Sequence, residues 1–290
     1  MGNFDSGSGD FKKGEGEMSL ELSWGQIEEC GKFPAERRKR FIFSVGNDFE
    51  AHGPALPPEI DSIMARSLAY HLALNTGAYY AGHIPFTSDR VGGIARAWSP
   101  THIDFEVFVE KTVEFIKDAM GKFPWKAERV IIFVGHGGLI PLLMMGDELS
   151  QKFGVKTRVG FVAGVGQVEL PKNLEARDTV EKILAGAGEH AYILEHSVAA
   201  ALGVLDWAKL EQLNRDAEKD PREVLRKHPA LAGLGGYQLF GDAKKYGCLK
   251  EVGLEFVLND FLERRKIVVS KELGEVLIQS ALKTAELLLL

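Results

Sequence analysis

Cysteine is nearly absent: Cys30 and Cys248 are the only two in 290 residues. That is too few for a disulfide framework or a cysteine zinc site, and it suits a reducing cytosol. No apolar run approaches the roughly 20 residues that span a bilayer, and the start of the chain is polar and glycine-rich, unlike a signal peptide. A cytoplasmic protein with no membrane association is expected. A basic block is also missing, since 41 acidic residues outnumber 35 basic ones for a net charge of −6. The one short cationic run, Arg37-Arg38-Lys39-Arg40, leads straight into an apolar strand. Phosphate backbones reward clustered Lys and Arg, so no nucleic-acid partner is expected.

With 45% hydrophobic and 26% charged residues, the chain has the composition of a folded globular protein and excludes general disorder or a collagen-like repeat. Residues 1–17 are dominated by Gly, Ser and charge and read as a flexible tail, because they bury too little apolar surface to offset ordering. No internal repeat or linker divides the rest, so residues 18–290 are expected to form a single domain. Short β-branched runs alternating with helical periods predict an α/β fold: a three-layer α/β/α domain with a mostly parallel central sheet.

The expected strands are 41–46, 79–85, 129–134 and 156–163. A helix is expected from Glu59 to a stop at Gly77, with Ile60, Met64, Leu68, Leu72 and Leu74 turned inward. A second, amphipathic helix is expected over 103–120, and a third from the 135–138 turn to about Phe153. Further helices are expected over 190–202, 207–219 and 271–288, with 228–253 irregular.

Three segments concentrate side chains capable of binding metal, and two of them follow strong strands, at the sheet edge where open α/β folds bind ligands. In the first, Glu50 and His52 share a side of an extended loop, and Asp61 returns from the first turn of the next helix. Two carboxylates and an imidazole suit Zn²⁺, Mn²⁺ or Fe²⁺. Equally, Asp61 suits a helix N-terminus by charge alone, with Glu50 and His52 as ordinary loop residues.

The second segment, Gly135-His136-Gly137-Gly138, lets backbone approach a ligand closely. A glycine-rich turn around a packed histidine explains it as well. The series Gly160, Gly164, Gly166 lacks dinucleotide spacing and gives no nucleotide site.

The third segment carries Glu189, His190, Glu195, His196 and Ser197. On a helix, His190 and Glu195 would be offset by about 140° and would serve different roles. A plain helix start, with Glu189 near its N-terminus and exposed histidines, is the alternative. His71, His83, His102 and His228 sit in no cluster and read as structural or surface residues.

Taken in order, these segments resemble the creatininase family of metal-dependent amidohydrolases. Its pattern is Glu-x-His-Gly with an Asp eleven residues after the Glu, then a strand ending in Gly-His-Gly-Gly, then His-Ala followed by Glu and Ser. The matching residues are Glu50, His52, Gly53 and Asp61; His136, Gly137 and Gly138; and His190, Ala191, Glu195 and Ser197. Within the family the chain is most similar to archaeal deformylases acting on a formylamino-pyrimidine ribonucleotide on the way to flavins and deazaflavins. Thr76-Gly77-Ala78, the run 190–198 and Lys271-Glu272-Leu273-Gly274-Glu275 carry that closer likeness. The pattern is broken where Val134 and Leu139 replace asparagines and Tyr192 replaces a glycine.

The resemblance implies two divalent metal ions per chain (Zn, Fe or Mn), one held by Glu50, Asp61 and His136, the other by His52, Asp61 and Glu195. It implies His190 as the catalytic proton donor, Gly137 and Gly138 as substrate-binding backbone, a small-molecule amide substrate and a homo-oligomer. Another small or cyclic amide is the alternative substrate, and a metal-binding family member without activity is the alternative function. For a nucleotide phosphate, Arg90, Arg96 and Lys126 are available, but read more simply as surface charges.

Overall fold

The computed structural model of the chain describes residues 39–89, 95–101, 103–124, 126–162, 168–241 and 254–289. The tail expected over 1–17, both cysteines, His102, Arg90, Gly164 and Gly166 lie outside these residues.

Four parallel strands form the sheet: β1 (Arg40–Val45), β2 (Tyr79–His83), β3 (Arg129–Val134) and β4 (Lys156–Phe161), in the order β2-β1-β3-β4. Alternate residues of a strand face opposite ways, and the two faces meet different cores. Ile42, Tyr80, Ile131 and Phe133 pack on one side, and Phe41, Phe43, Val45, Val130, Ile132 and Val134 on the other. Both sides are covered by helices, so β3 is apolar from Val130 to Val134 and β1 is apolar from Phe41 to Val45 except at Ser44.

The first layer holds α1 (Ile60–Thr76), and the second holds α2 (Phe105–Gly121) and α3 (Gly146–Phe153). After β4 come α4 (Arg177–Lys182), α5 (Ile193–Ala201), α6 (Trp207–Lys219), α7 (Pro221–Lys227), α8 (Leu231–Phe240), α9 (Glu255–Arg264) and α10 (Lys271–Glu286). Residues from these later helices extend the α1 core. The expected three-layer α/β/α arrangement is therefore what the chain adopts. No helix among the described residues is long and apolar enough to cross a membrane.

Four expectations need correction. Leu74 is 40% exposed, because two positions beyond Leu72 lies on the far side of α1. The helix expected from Gly135 is split into a 3₁₀ segment, Gly137–Met145, and α3, with Pro141 inside the first. The helix expected from His190 starts only at Ile193, since Ala191 is left-handed at φ 49°. Part of the stretch expected to be irregular contains α8.

Candidate metal centre

Two glycines set the position of α1. A Cβ on Gly46, just beyond β1, would lie 2.5 Å from Ser62 Cα, and one on Gly135, just beyond β3, would overlap the Asp61 carbonyl oxygen. Without those methyl groups the first turn of α1 sits directly on the ends of two adjacent strands and holds Asp61 over the sheet edge. His136 follows Gly135 immediately. The intervening loop is tied down by Ala51 N–H donating to Trp98 O at 2.8 Å, and turns at Gly53 with φ 84°.

Each Asp61 oxygen addresses a different histidine. Oδ2 lies 2.9 Å from His136 Nδ1, and Oδ1 lies 3.4 Å from His52 Nε2. Glu50 Oε2 is 2.7 Å from His136 Nδ1 and 4.0 Å from His52 Nε2, and Glu195 Oε2 is 3.8 Å from His52 Nε2. His52 Nδ1–H donates to its own loop at Glu50 O, 3.1 Å away, which turns the Nε2 lone pair toward the carboxylates. His190 Nε2–H donates to Ala51 O at 3.0 Å, its Nδ1 lies 3.6 Å from Glu50 Oε1, and its ring centroid is 4.5 Å from that of His52.

Three sets of donor atoms come within 4.8 Å of one another among the described residues: Glu50, Asp61 and His136; His52, Asp61 and Glu195; Glu50, His52 and His190. The first two share Asp61. Glu50, His52, Asp61 and His136 are all buried; His52 Nε2 has no hydrogen-bond partner, and Glu50 Oε2 is paired only by charge with the two histidines. A buried lone pair facing buried carboxylates is costly unless a cation stands between them. Imidazole and carboxylate donors of this kind fit a divalent ion such as Zn²⁺, Mn²⁺ or Fe²⁺.

The charge pattern of the chain alone says the same. Burial, with Asp61 adding to it, pushes the Glu50 carboxyl up to about 8 against the pull of His136 and His52. Burial also raises Glu195. Burial disfavours charge on His52 too, yet Asp61, Glu195 and Glu50 outweigh it and lift the imidazole to about 10. His136 is lifted well above the usual range by Glu50, Asp61 and Asp89 against its own burial. Asp61, though buried, is held far below the usual carboxylate range by His52 and His136. His190 goes the other way, pushed down to about 3 by burial and by the charge on His52. Protons on His52 and His136 thus take the places a metal would fill.

Every residue proposed as a ligand from the sequence, together with His190, meets at this edge. The expected 140° separation of His190 and Glu195 does not arise, because His190 precedes α5, and both flank His52. Gly137 is exposed and Gly138 buried. Val134 and Leu139 are buried in the α2 core. Tyr192 is buried, and its hydroxyl donates to Asp260 Oδ2 at 2.6 Å, an acceptor shared with Arg264. Ser197 Oγ accepts from Ser270 N–H at 3.2 Å and serves α10. Lys126 is exposed, and the Arg96 side chain lies outside the described residues.

Glu189 takes the helix-start place its sequence position suggests, and one buried carboxylate, Asp89, escaped the sequence reading. Glu189 accepts from Leu194 N–H at 2.9 Å and Glu195 N–H at 2.6 Å, capping α5 with both oxygens, while Glu195 Oε2 accepts from Ala191 N–H at 2.6 Å. Its place just ahead of a helix was the only sequence signal. Asp89 lies beside His136 and carried no motif at all.

The family model described as creatinine amidohydrolase matches residues 20–245. A 2-amino-5-formylamino-6-ribosylaminopyrimidin-4(3H)-one 5'-monophosphate deformylase from Methanobrevibacter ruminantium is 26% identical over 204 residues, which is 70% of each chain. A protein of the same name from Methanobrevibacter smithii is 25% identical over 170 residues, 59% of this chain and 63% of the relative. The solved structure of a mutant creatininase superposes with a TM-score of 0.51 at 16% identity, covering 92% of this chain and 94% of that one, a likeness of fold.

Proposed function

The chain belongs to the creatininase family, and from that premise we propose that it is a metal-dependent amidohydrolase releasing formate from a formylamino-pyrimidine ribonucleotide, the substrate named for its deformylase relatives. The observation that carries this reading is the pair of donor sets joined through Asp61, buried except for the partly exposed Glu195 and suited to two divalent ions. Glu50, Asp61 and His136 would hold one, and His52, Asp61 and Glu195 the other. Bound there, the ions supply Lewis acidity, which lowers the pKa of water and polarises a carbonyl.

The protein's own groups do the rest. Asp61, with one oxygen toward each histidine, fixes the spacing of the two donor sets. Burial of the cluster excludes bulk water and strengthens each electrostatic contact. His190 is the proton carrier. Its Nε2–H is committed to Ala51 O, so the neutral ring presents Nδ1 to the site. Held neutral by burial and neighbouring positive charge, it takes a proton there only transiently, as the nucleophile forms, and passes it on readily to the departing nitrogen, which leaves poorly as an unprotonated amine. We take residues 18–290 as one domain acting as a cytoplasmic homo-oligomer, an extension that rests on the family.

Metal analysis of the purified chain, coupled to formate release from the formylamino-pyrimidine ribonucleotide with Fe²⁺, Mn²⁺ or Zn²⁺, tests the proposal. Metal near two ions per chain with formate release supports it. Metal without formate would redirect the search to other small amides. A protein that takes up no metal would end this mechanism.

A further inference from the structure

His136 faces two ways. Nδ1 meets Glu50 and Asp61, while Nε2, on the opposite edge of the ring, lies 3.3 Å from Asp89 Oδ2, a charge contact not aligned as a hydrogen bond. The Asp89 side chain is only 1% exposed and belongs to none of the donor sets. Its Oδ2 also accepts the indole N–H of Trp98 at 3.3 Å. The two residues before it are tied to Ile103, whose N–H donates to Thr87 O at 3.1 Å and whose carbonyl accepts the Ser88 hydroxyl at 2.6 Å. The Trp98 indole thus holds the carboxylate on a segment anchored just before it.

A second observation concerns Gly138. A Cβ built there would lie 2.5 Å from His136 Nε2 and 2.7 Å from Asp89 Cγ. The glycine-rich turn after β3 leaves room for the His136–Asp89 pair, whereas a Cβ at Gly137 meets nothing within 4 Å. Only one of the two glycines is demanded by packing, and it is the one against this pair.

We infer that Asp89 is a positioning residue of the metal centre: its carboxylate, in charge contact with His136 Nε2, takes the proton of that nitrogen once Nδ1 serves as a ligand, and so fixes the tautomer and ring orientation that aim the Nδ1 lone pair between Glu50 and Asp61. It acts through His136, as an outer carboxylate does on a metal-bound histidine. The inference rests on the proposed metal centre and adds a role for a residue outside it. The donor set containing His52 does not depend on Asp89.

The test uses the full chain as wild type, Asp89→Asn, Asp89→Glu and Gly138→Ala. Zn²⁺ affinity is measured by chelator competition, kcat and KM by formate release, and thermal unfolding on metal-free protein. Asp89→Asn is expected to keep one ion at wild-type affinity and hold the other about 10–100-fold more weakly, with lower kcat and unchanged KM. Asp89→Glu recovers part of the loss. Gly138→Ala, which forces the pair apart with both side chains present, reproduces the one-site weakening. If Asp89→Asn holds both ions as wild type does, the inference is wrong while the metal centre stands. Equal weakening of both ions with a lower unfolding temperature would reduce Asp89 to a packing role, and a wild type that binds no metal would remove the centre and the inference together.

Discussion

Adding a single methyl group at Gly135 tests how this site is built. A Cβ there would overlap the Asp61 carbonyl oxygen and lie 2.9 Å from Ala65 Cβ and 3.0 Å from the Asp61 carbonyl carbon, where ordinary contact begins at 3.4 Å. The obstacles are helix backbone and a short side chain, so the strain cannot be relieved by a rotamer change. The first turn of α1 must lift by about 1 Å, and overpacking of this kind costs about 1–3 kcal/mol. Asp61 travels with that turn, away from His136 Nδ1 at 2.9 Å and His52 Nε2 at 3.4 Å. Misplacement by about 1 Å typically costs about 100-fold in rate. Gly135→Ala should therefore fold, weaken both metal sites and lower kcat/KM by about two orders of magnitude. The control is Gly154→Ala, at φ 67° with nothing within 4 Å of a Cβ. Left-handed backbone costs an alanine about 1 kcal/mol, so stability falls comparably with the site untouched. Metal titration, steady-state kinetics and thermal unfolding on both variants decide the matter. Wild-type metal affinity and turnover in Gly135→Ala would refute the account of how α1 places Asp61.

Two further outcomes are expected. Asp61→Asn should lose metal and activity together, because both donor sets use it, whereas His190→Ala should keep its metal and lose turnover; metal content beside kcat reads both, and an Asp61→Asn protein with full metal would contradict the shared-ligand assignment. His83 should make stability pH-dependent: burial, with Arg66 adding to it, lowers its pKa from 6.5 to about 3, with Ser44 Oγ 2.9 Å from Nδ1. The folded value lies below the unfolded one, so this stability is present above pH 6.5 and is lost as the pH falls toward 3, about 2 kcal/mol of it by pH 5. Denaturant unfolding across that range should show a shallower slope in His83→Gln, and parallel slopes would exclude the histidine as the cause.

What the sequence made legible follows from burial. The strand expected at 129–134 coincides with β3, since a strand covered on both faces is an unbroken apolar run with clear ends. Gly77 ends α1 in the left-handed cap its residue type suggests, at φ 72°. The donors were legible because three motifs fall in order at strand ends and a helix start. What failed was tertiary in origin. Apolar spacing carries no sign that Ala191 is left-handed, so the start of α5 was placed too early and the angle between His190 and Glu195 was misjudged. The region after His228 looked patternless because α8 opens with Ala232, Gly233 and Leu234 at φ 49°, 68° and 63°, a left-handed turn that no helical period describes. Asp89 acquires its place from His136, 47 positions away by their numbers.

That left-handed turn shows where the fold stores its strain. Among the described residues five non-glycine positions have positive φ, and three of them, Ala191, Ala232 and Leu234, fall in one patch. Ala232 N–H donates to Ala191 O at 3.3 Å and Gly233 N–H to His190 O at 2.8 Å. A non-glycine residue in this region costs about 1–2 kcal/mol, and such strain persists only where the surroundings over-determine it. Leu231 supplies part of that constraint, since its Cδ1 stands 2.6 Å from where a Cβ on Gly53 would be. The patch therefore grips both the loop that carries His52 and the backbone of His190. The buried donors Asp61 and His136 need no such strain, because a regular helix and a strand end place them. The costly backbone is concentrated instead around His190, the residue proposed to carry a proton, for which the two nitrogens must be told apart. Holding its carbonyl fixes the ring from the backbone side while Ala51 O fixes Nε2, and Nδ1 is then left for the reaction.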